Sequence, residues 1–336
     1  MNRLRSLFAS RQWGLLCGLA LIAAGFGWVS EAFRDPANLL DRTRYWTETG
    51  LIAVPMTFII AAGAIDLSVG SLLALCAMVA GLCHHQLHWP LAAALGAALL
   101  AGALGGALNG LGVSLLRVPA LVMTLATLAI FRGLAMGLSR GAPIRDWPEA
   151  LTDWGSQATL GQGAWAPPQQ LVLLLVTIVL GEFILRKTRA GRWTVQLGEN
   201  QTAARYTAIP VAGVRFALFL ASGLVCALAA ITNLARFATA HPSAGAGLEL
   251  EAIACVVIGG TRITGGGGSV LGTLLGLLIM GLLRFGMDKV GVLQQRQIVL
   301  VGLLVILTAI FNEWLARRRE RRRPAATQPI RTGGVA

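Results

Sequence analysis

The chain has 336 residues, 55% hydrophobic and only 13% charged, where an ordinary soluble domain carries about 25% charged residues. With a mean hydropathy of +0.68, this excludes a large soluble domain and marks an integral membrane protein. The net charge of +13 invites a nucleic-acid reading, but the basic residues flank hydrophobic runs, at Arg3, Arg5 and Arg11, at Arg186–Arg215 and at Arg317–Arg323, which argues against it.

Residues 1–12 form a short basic segment, and the first apolar run, Trp13–Val29, reads as a retained span because nothing soluble follows it. At about 20 residues per crossing, ten spans are expected, at 13–32, 45–64, 67–84, 89–116, 118–138, 168–185, 214–235, 249–261, 269–285 and 298–315. The fold class is therefore an all-α integral membrane protein, with some helices short or broken. With the N-terminus cytoplasmic, an even number of spans returns the C-terminus to the cytoplasm. That orientation places 18 of the 28 lysines and arginines inside, as the positive-inside rule requires. The domain reading is one ten-span transmembrane unit over 13–315, a cytoplasmic loop at 186–213, and a basic cytoplasmic tail at 316–336 expected to be disordered.

Between spans two and three, Gly63-Ala64-Ile65-Asp66-Leu67-Ser68-Val69-Gly70-Ser71 interrupts two apolar runs, Leu51–Ala62 and Leu72–Leu82. An ionisable group at membrane depth is costly and faces protein or a cavity. Broken helices survive there only when buried in protein or lining water. Asp66, with Ser68, is read either as a gate or pathway residue or as a cap for the helix beginning near Ser68. Asn109, Thr124 and Thr127 are further polar groups inside spans, fit either to line a translocation pathway or to bond helix to helix.

His84, His85 and His88 lack the acidic neighbours of a metal site and read as interfacial residues. The five cysteines form no CxxC pair and read as small buried hydrophobes. No metal site is expected. The long loop Ser139–Pro168, with Trp147, Trp154 and Trp165, either folds over its own spans or packs on a soluble partner.

In the loop at 186–215, Asn200 is a plausible N-cap, Gln201–Ala208 spans two helical turns, and Pro210 stops them. So short a helix must dock, on a cytoplasmic protein or at the lipid headgroups. A second break, Thr261-Arg262-Ile263-Thr264-Gly265-Gly266-Gly267-Gly268-Ser269, mirrors the first. Short, glycine-interrupted segments in both halves point to a transporter site, with Gly63, Gly70, Gly265, Gly266 and Gly268 as the break glycines; a pair of tight hairpins is the bland alternative. Glu249 and Glu251 either meet a basic patch on a delivery protein or complement a helix dipole. The glycine run is followed by no Gly-Lys-Ser or Gly-Lys-Thr, so this chain is expected neither to hydrolyse ATP nor to be an enzyme.

Four motif groups taken together resemble the permease subunits of bacterial ABC sugar importers, in the branch serving ribose, xylose, arabinose, rhamnose and autoinducer-2. They are Ile65–Ser71; Gly106–Gly110 with Val118–Thr127 and Phe131-Arg132-Gly133; Gly191-Arg192 with Gly198-Glu199-Asn200 and Ala203-Ala204-Arg205; and Glu251–Ala254 with Gly259-Gly260-Thr261 and Gly268–Thr273. The resemblance runs in order over roughly residues 45–315. Ala64 and Ala208 stand where a glycine is usual, and Arg262 where a small residue is more common. The resemblance implies a permease that imports a neutral monosaccharide or sugar-like molecule across the bacterial inner membrane. It would work as a homodimer or with a sister permease, alongside a periplasmic sugar-binding protein and a cytoplasmic ATPase that uses the ATP, with no cofactor bound by this chain. Gly191, Arg192, Asn200, Ala203, Ala204, Arg205 and Ile209 would form the ATPase-coupling loop. An ion-coupled secondary transporter is the alternative, for which only Asp66 and Glu182 would qualify as intramembrane acids.

Overall fold

A computed structural model of the chain describes residues 2–156 and 166–321. Trp165 and residues 322–336, with Arg322 and Arg323 of the basic tail, lie outside the described residues. Fourteen helices are present among the described residues, with no strand beyond a two-residue bridge between Ile144 and Ala240.

The first group is α1 (Asn2–Val29), α2 (Glu31–Arg34) and α3 (Pro36–Ala61). After the first break come α4 (Val69–Gly81), prolonged by a π turn at Leu82–Gln86, then α5 (Leu91–Ser114) and α6 (Ala120–Ser139). Next are α7 (Glu149–Ser156), α8 (Gln169–Lys187), α9 (Arg189–Glu199) and α10 (Gln201–Tyr206). The last four are α11 (Val211–Phe237), α12 (Leu248–Ile258), α13 (Val270–Lys289) and α14 (Gln294–Arg321). A helix overlies each of the ten apolar runs. Six of the helices, counting α4 with its π turn, are long and apolar enough to cross a membrane. The chain is an all-α membrane protein.

Some limits differ from those expected. Helix α3 starts at Pro36, well before residue 45, because Asp35 accepts the amide of Ala37 at 2.9 Å and Pro36 occupies the first turn, where its missing N–H costs nothing. Helix α14 continues to Arg321, so the tail expected to be disordered from 316 begins as helix. The run Ala316–Arg319 consists of strong helix formers.

Helix α3 is the axis of the bundle. Every residue from Thr47 to Ala61 is buried, surrounded by α8, α11, α12 and α13. Helices α5 and α11 make the most extensive pairing, which small residues permit. A Cβ at Gly102 or Gly106 would run into the backbone of α11, and one at Gly223 into that of α5. The outward faces of α5, α6 and α8 carry exposed leucine, valine and isoleucine, as lipid-facing surfaces should. The loop after α6 folds back on its own helices. Trp147 and Leu151 are buried, α7 packs against α11, and Gln170 donates to the carbonyl of Trp154 at 3.2 Å. His84 and His85 pack around the Trp147 ring.

Candidate functional site

The first break leaves α3 at Ala62 and turns at Gly63, whose φ of +76° suits glycine. Its polar residues are bonded to one another. One Asp66 carboxylate oxygen accepts the Ser68 amide at 3.0 Å and the Ser68 hydroxyl at 2.7 Å. The other accepts the hydroxyl of Ser222, on α11, at 3.2 Å. Asn109 donates to Ser68 at 2.8 Å and accepts from Thr127 at 2.7 Å, tying α5 to α4 and α6. Thr124 donates to the Ile65 carbonyl at 3.3 Å. All six side chains are buried. Four of the five residues expected to line a pathway thus form one continuous network around Asp66, and Thr124 braces the backbone beside it. Asp66 bonds a neighbouring helix through Ser222 and holds the turn before α4 through Ser68. Asp66 serves Ser68, the residue just before α4, rather than the first helical amides. Ser222 escaped sequence reading because a serine inside an apolar helix has no distinguishing neighbours.

The second break uses other means. Gly260, Gly265 and Gly266 have φ of +92°, +88° and +80°. The amide of Gly266 donates to the carbonyl of Ala61 at 3.0 Å, so the second break is hydrogen-bonded to the last residue of α3, where the first break begins. The start of α13 is capped by Ser269, which accepts from Gly272 at 3.1 Å, and by Glu182 of α8, which accepts from Leu271 at 3.1 Å. Glu182 also pairs with Arg186. It therefore caps a helix and holds an ion pair, and is not an isolated intramembrane acid. Of the glycines of the two breaks, Gly70 and Gly268 do not have a left-handed backbone. Gly70 lies in the first turn of α4, where its missing side chain admits Gly245 and Glu249.

The segment between α8 and α11 meets both breaks. Thr188 caps α9 and Asn200 caps α10, accepting the Ala203 amide at 2.9 Å. Ala204 and Ile209 turn inward and pack with Leu197, Val214 and Ala62, the first residue past α3. Gly191 is buried against the end of α8. Arg192, Ala203 and Arg205 are exposed, and Tyr206 is 88% exposed. Ala208, standing where glycine is usual, has φ +57°, a left-handed conformation unfavourable to alanine.

One constellation was missed. Glu48, midway along α3, is buried and accepts two bonds from Arg236 at 3.0 Å and one from Asn233 at 2.9 Å, both on α11. Arg236 in turn lies over the ring of Tyr45. Glu48 fell inside an expected span, and its charge was the available signal. Glu251 pairs with Arg284 at 2.7 Å, and Glu249 is half-buried beside Gly70, so neither acid is freely displayed. Arg132, of the Phe-Arg-Gly motif, donates to the carbonyls of Pro242 and Ala244 at 2.8 and 2.9 Å.

Residues 38–309, which contain both breaks and the segment joining them, match the family described as branched-chain amino acid transport system / permease component. The chain belongs to this permease family. The permease is 38% identical over 301 residues to the ribose import permease protein RbsC of Bacillus subtilis, covering 89% of this chain and 92% of that one. It is 33% identical over 316 residues to the autoinducer 2 import system permease protein LsrD of Photorhabdus temperata, covering 89% and 93%. The corresponding protein of Yersinia enterocolitica is 35% identical over 325 residues, covering 91% and 96%. No solved structure matches the chain.

Proposed function

We propose that the permease is the membrane subunit of an ATP-driven importer in the bacterial inner membrane, carrying a neutral monosaccharide or sugar-like molecule inward. The observation that carries this reading is similarity over about nine-tenths of the chain to import permeases for ribose and autoinducer 2. The chemistry of the core supports a neutral solute. Binding an amino acid would call for charges of both signs free to meet it. Here Glu48 and Arg236 take each other, and Asp66 is taken by hydroxyls and an amide.

In this reading the ten helices over the apolar runs cross the membrane and leave both termini cytoplasmic. ATP is hydrolysed on a separate cytoplasmic subunit, which α10 meets through Ala203, Arg205 and Tyr206. A periplasmic binding protein delivers the solute, and a second permease copy or a sister chain completes the pathway. This chain binds no cofactor. The Asp66 network sets the pathway wall beside the first break.

The test is reconstitution in proteoliposomes with the ATPase and binding protein, using ribose as the first probe. Uptake that requires ATP, together with loss of ATPase co-purification in Ala203→Glu, supports the reading. Ala203 is the position to change because Ala204 is buried and its replacement would disturb the fold. Ribose uptake unaffected by ATP overturns it.

A further inference from the structure

We infer that Gly198 is a positioning residue for transport, passing a displacement of α9 and α10 to both breaks at once. This rests on the reading of α10 as the ATPase-facing element.

Gly198 is the penultimate residue of α9, two residues before the cap of α10. A Cβ there would collide with the Ala61 carbonyl oxygen and the Gly266 amide nitrogen. These are the two atoms whose 3.0 Å hydrogen bond joins the breaks, so Gly198 lies directly against that bond. Gly265 completes the contact. A Cβ on it would fall 3.0 Å from the Cα of Gly198 and 3.0 Å from the Cα of Gly63. Three chain segments therefore meet backbone to backbone with no side chain between them.

Two further features make the contact stiff. Gly63, Gly265 and Gly266 all have left-handed backbones, which fixes the path of each turn to one that glycine alone takes readily. Beside them, Ala62 packs against Leu197, Ala204 and Ile209, so side chains of the α9–α10 segment grip the same end of α3 that Gly198 touches. Close-packed contacts pass on a shift rather than absorbing it. A push on α10 thus reaches Ala62 through side chains and the Ala61–Gly266 bond through Gly198. The first break leads to the Asp66 network, and the second to the start of α13. The Thr261 hydroxyl, buried in the second break, has no hydrogen-bond partner among the described residues, so this break holds a polar group that another arrangement would satisfy.

The experiment compares Gly198→Ala with Gly213→Ala in the reconstituted complex with ATPase and binding protein, measuring ribose uptake per ATP hydrolysed. Gly213 is the control, since the nearest atom to its added Cβ is 3.9 Å away. The expected result is that Gly198→Ala co-purifies with the ATPase and hydrolyses ATP, while uptake per ATP falls roughly tenfold and Gly213→Ala matches the wild type. An assembled Gly198→Ala complex with wild-type uptake per ATP overturns the inference. Because the variant can misfold, hydrogen exchange is also measured on the wild-type complex with and without bound ATP. Altered exchange at 61–64 and 259–269 together with 189–206 supports the joint, and a change confined to 189–206 overturns it. A wild-type complex whose uptake ignores ATP removes the ATP-driven reading and this inference with it. ATP-dependent uptake with unmoved breaks removes the inference alone.

Discussion

The two breaks differ in what holds them. The first is fastened by side chains. Asp66, Ser68, Asn109, Thr127 and Ser222 are bonded into one buried network that reaches α5, α6 and α11. The second is fastened by backbone, through three left-handed glycines and the Gly266–Ala61 hydrogen bond, and by a cap that Glu182 contributes from α8. The first thus works as an anchor whose strength is set by side-chain chemistry. The second is a stiff turn whose path depends on the absence of side chains. One chain therefore meets the requirement that broken helices at membrane depth satisfy their freed polar groups in two ways.

The largest expected effect comes from breaking the anchor. Asp66→Ala leaves the Ser68 amide and the Ser68 and Ser222 hydroxyls without an acceptor in the core. The expected loss is about 3 kcal/mol of stability, read as a lower thermal midpoint of the detergent-purified protein. Asp66→Asn keeps an acceptor and should lose much less. Equal loss in the two variants would deny the network its role. Asn109→Ala removes two bonds and should cost about 2 kcal/mol. In a double-mutant cycle with Thr127→Val, the pair should couple by roughly 1 kcal/mol, whereas strict additivity would mean that the 2.7 Å contact contributes nothing.

Effects at the second break should be smaller and local. Glu182→Ala removes one cap from α13, worth about 1 kcal/mol, and amide exchange at residues 270–273 should quicken while the Asp66 network at 66–71 is unchanged. Exchange that quickens equally at 66–71 would mean that the anchor depends on this cap. Smallest, and of opposite sign, Ala208→Gly should stabilise the protein by roughly 0.5 kcal/mol, the relief of a left-handed alanine less the added chain entropy of glycine. A lower midpoint in that variant would show that the turn into α11 needs the methyl group.

Much of the first break could be read in the sequence because its chemistry resides in residue types. An aspartate, an asparagine and threonines are conspicuous in apolar helices, and four of those singled out share one network. The start of the short α10 was legible for a similar reason, since Asn200 caps it, but the helix ends at Tyr206, two residues short of the expected Ala208, where the backbone turns left-handed before Pro210. Ser222 and the Glu48–Arg236–Asn233 cluster were not found, because they depend on α11 lying against the first break and along α3, pairings between residues far apart in the chain. The glycine joint was legible only in part. The glycines of both breaks stood out, but Gly198 gains its meaning from Ala61 and Gly266, which only the fold brings beside it. Gly70 is a second case, a break glycine whose close packing against Gly245 and Glu249 only the fold reveals.

The most direct test of the account is uptake of ribose by the reconstituted complex under two drives, ATP without an ion gradient and a proton or sodium gradient without ATP, in wild type and Asp66→Asn. The account predicts that ATP alone drives uptake and that Asp66→Asn retains it, since Asp66 is an anchor in the protein. Uptake driven by a gradient without ATP, and abolished in Asp66→Asn, would contradict the account and make Asp66 an ion-coupling carboxylate.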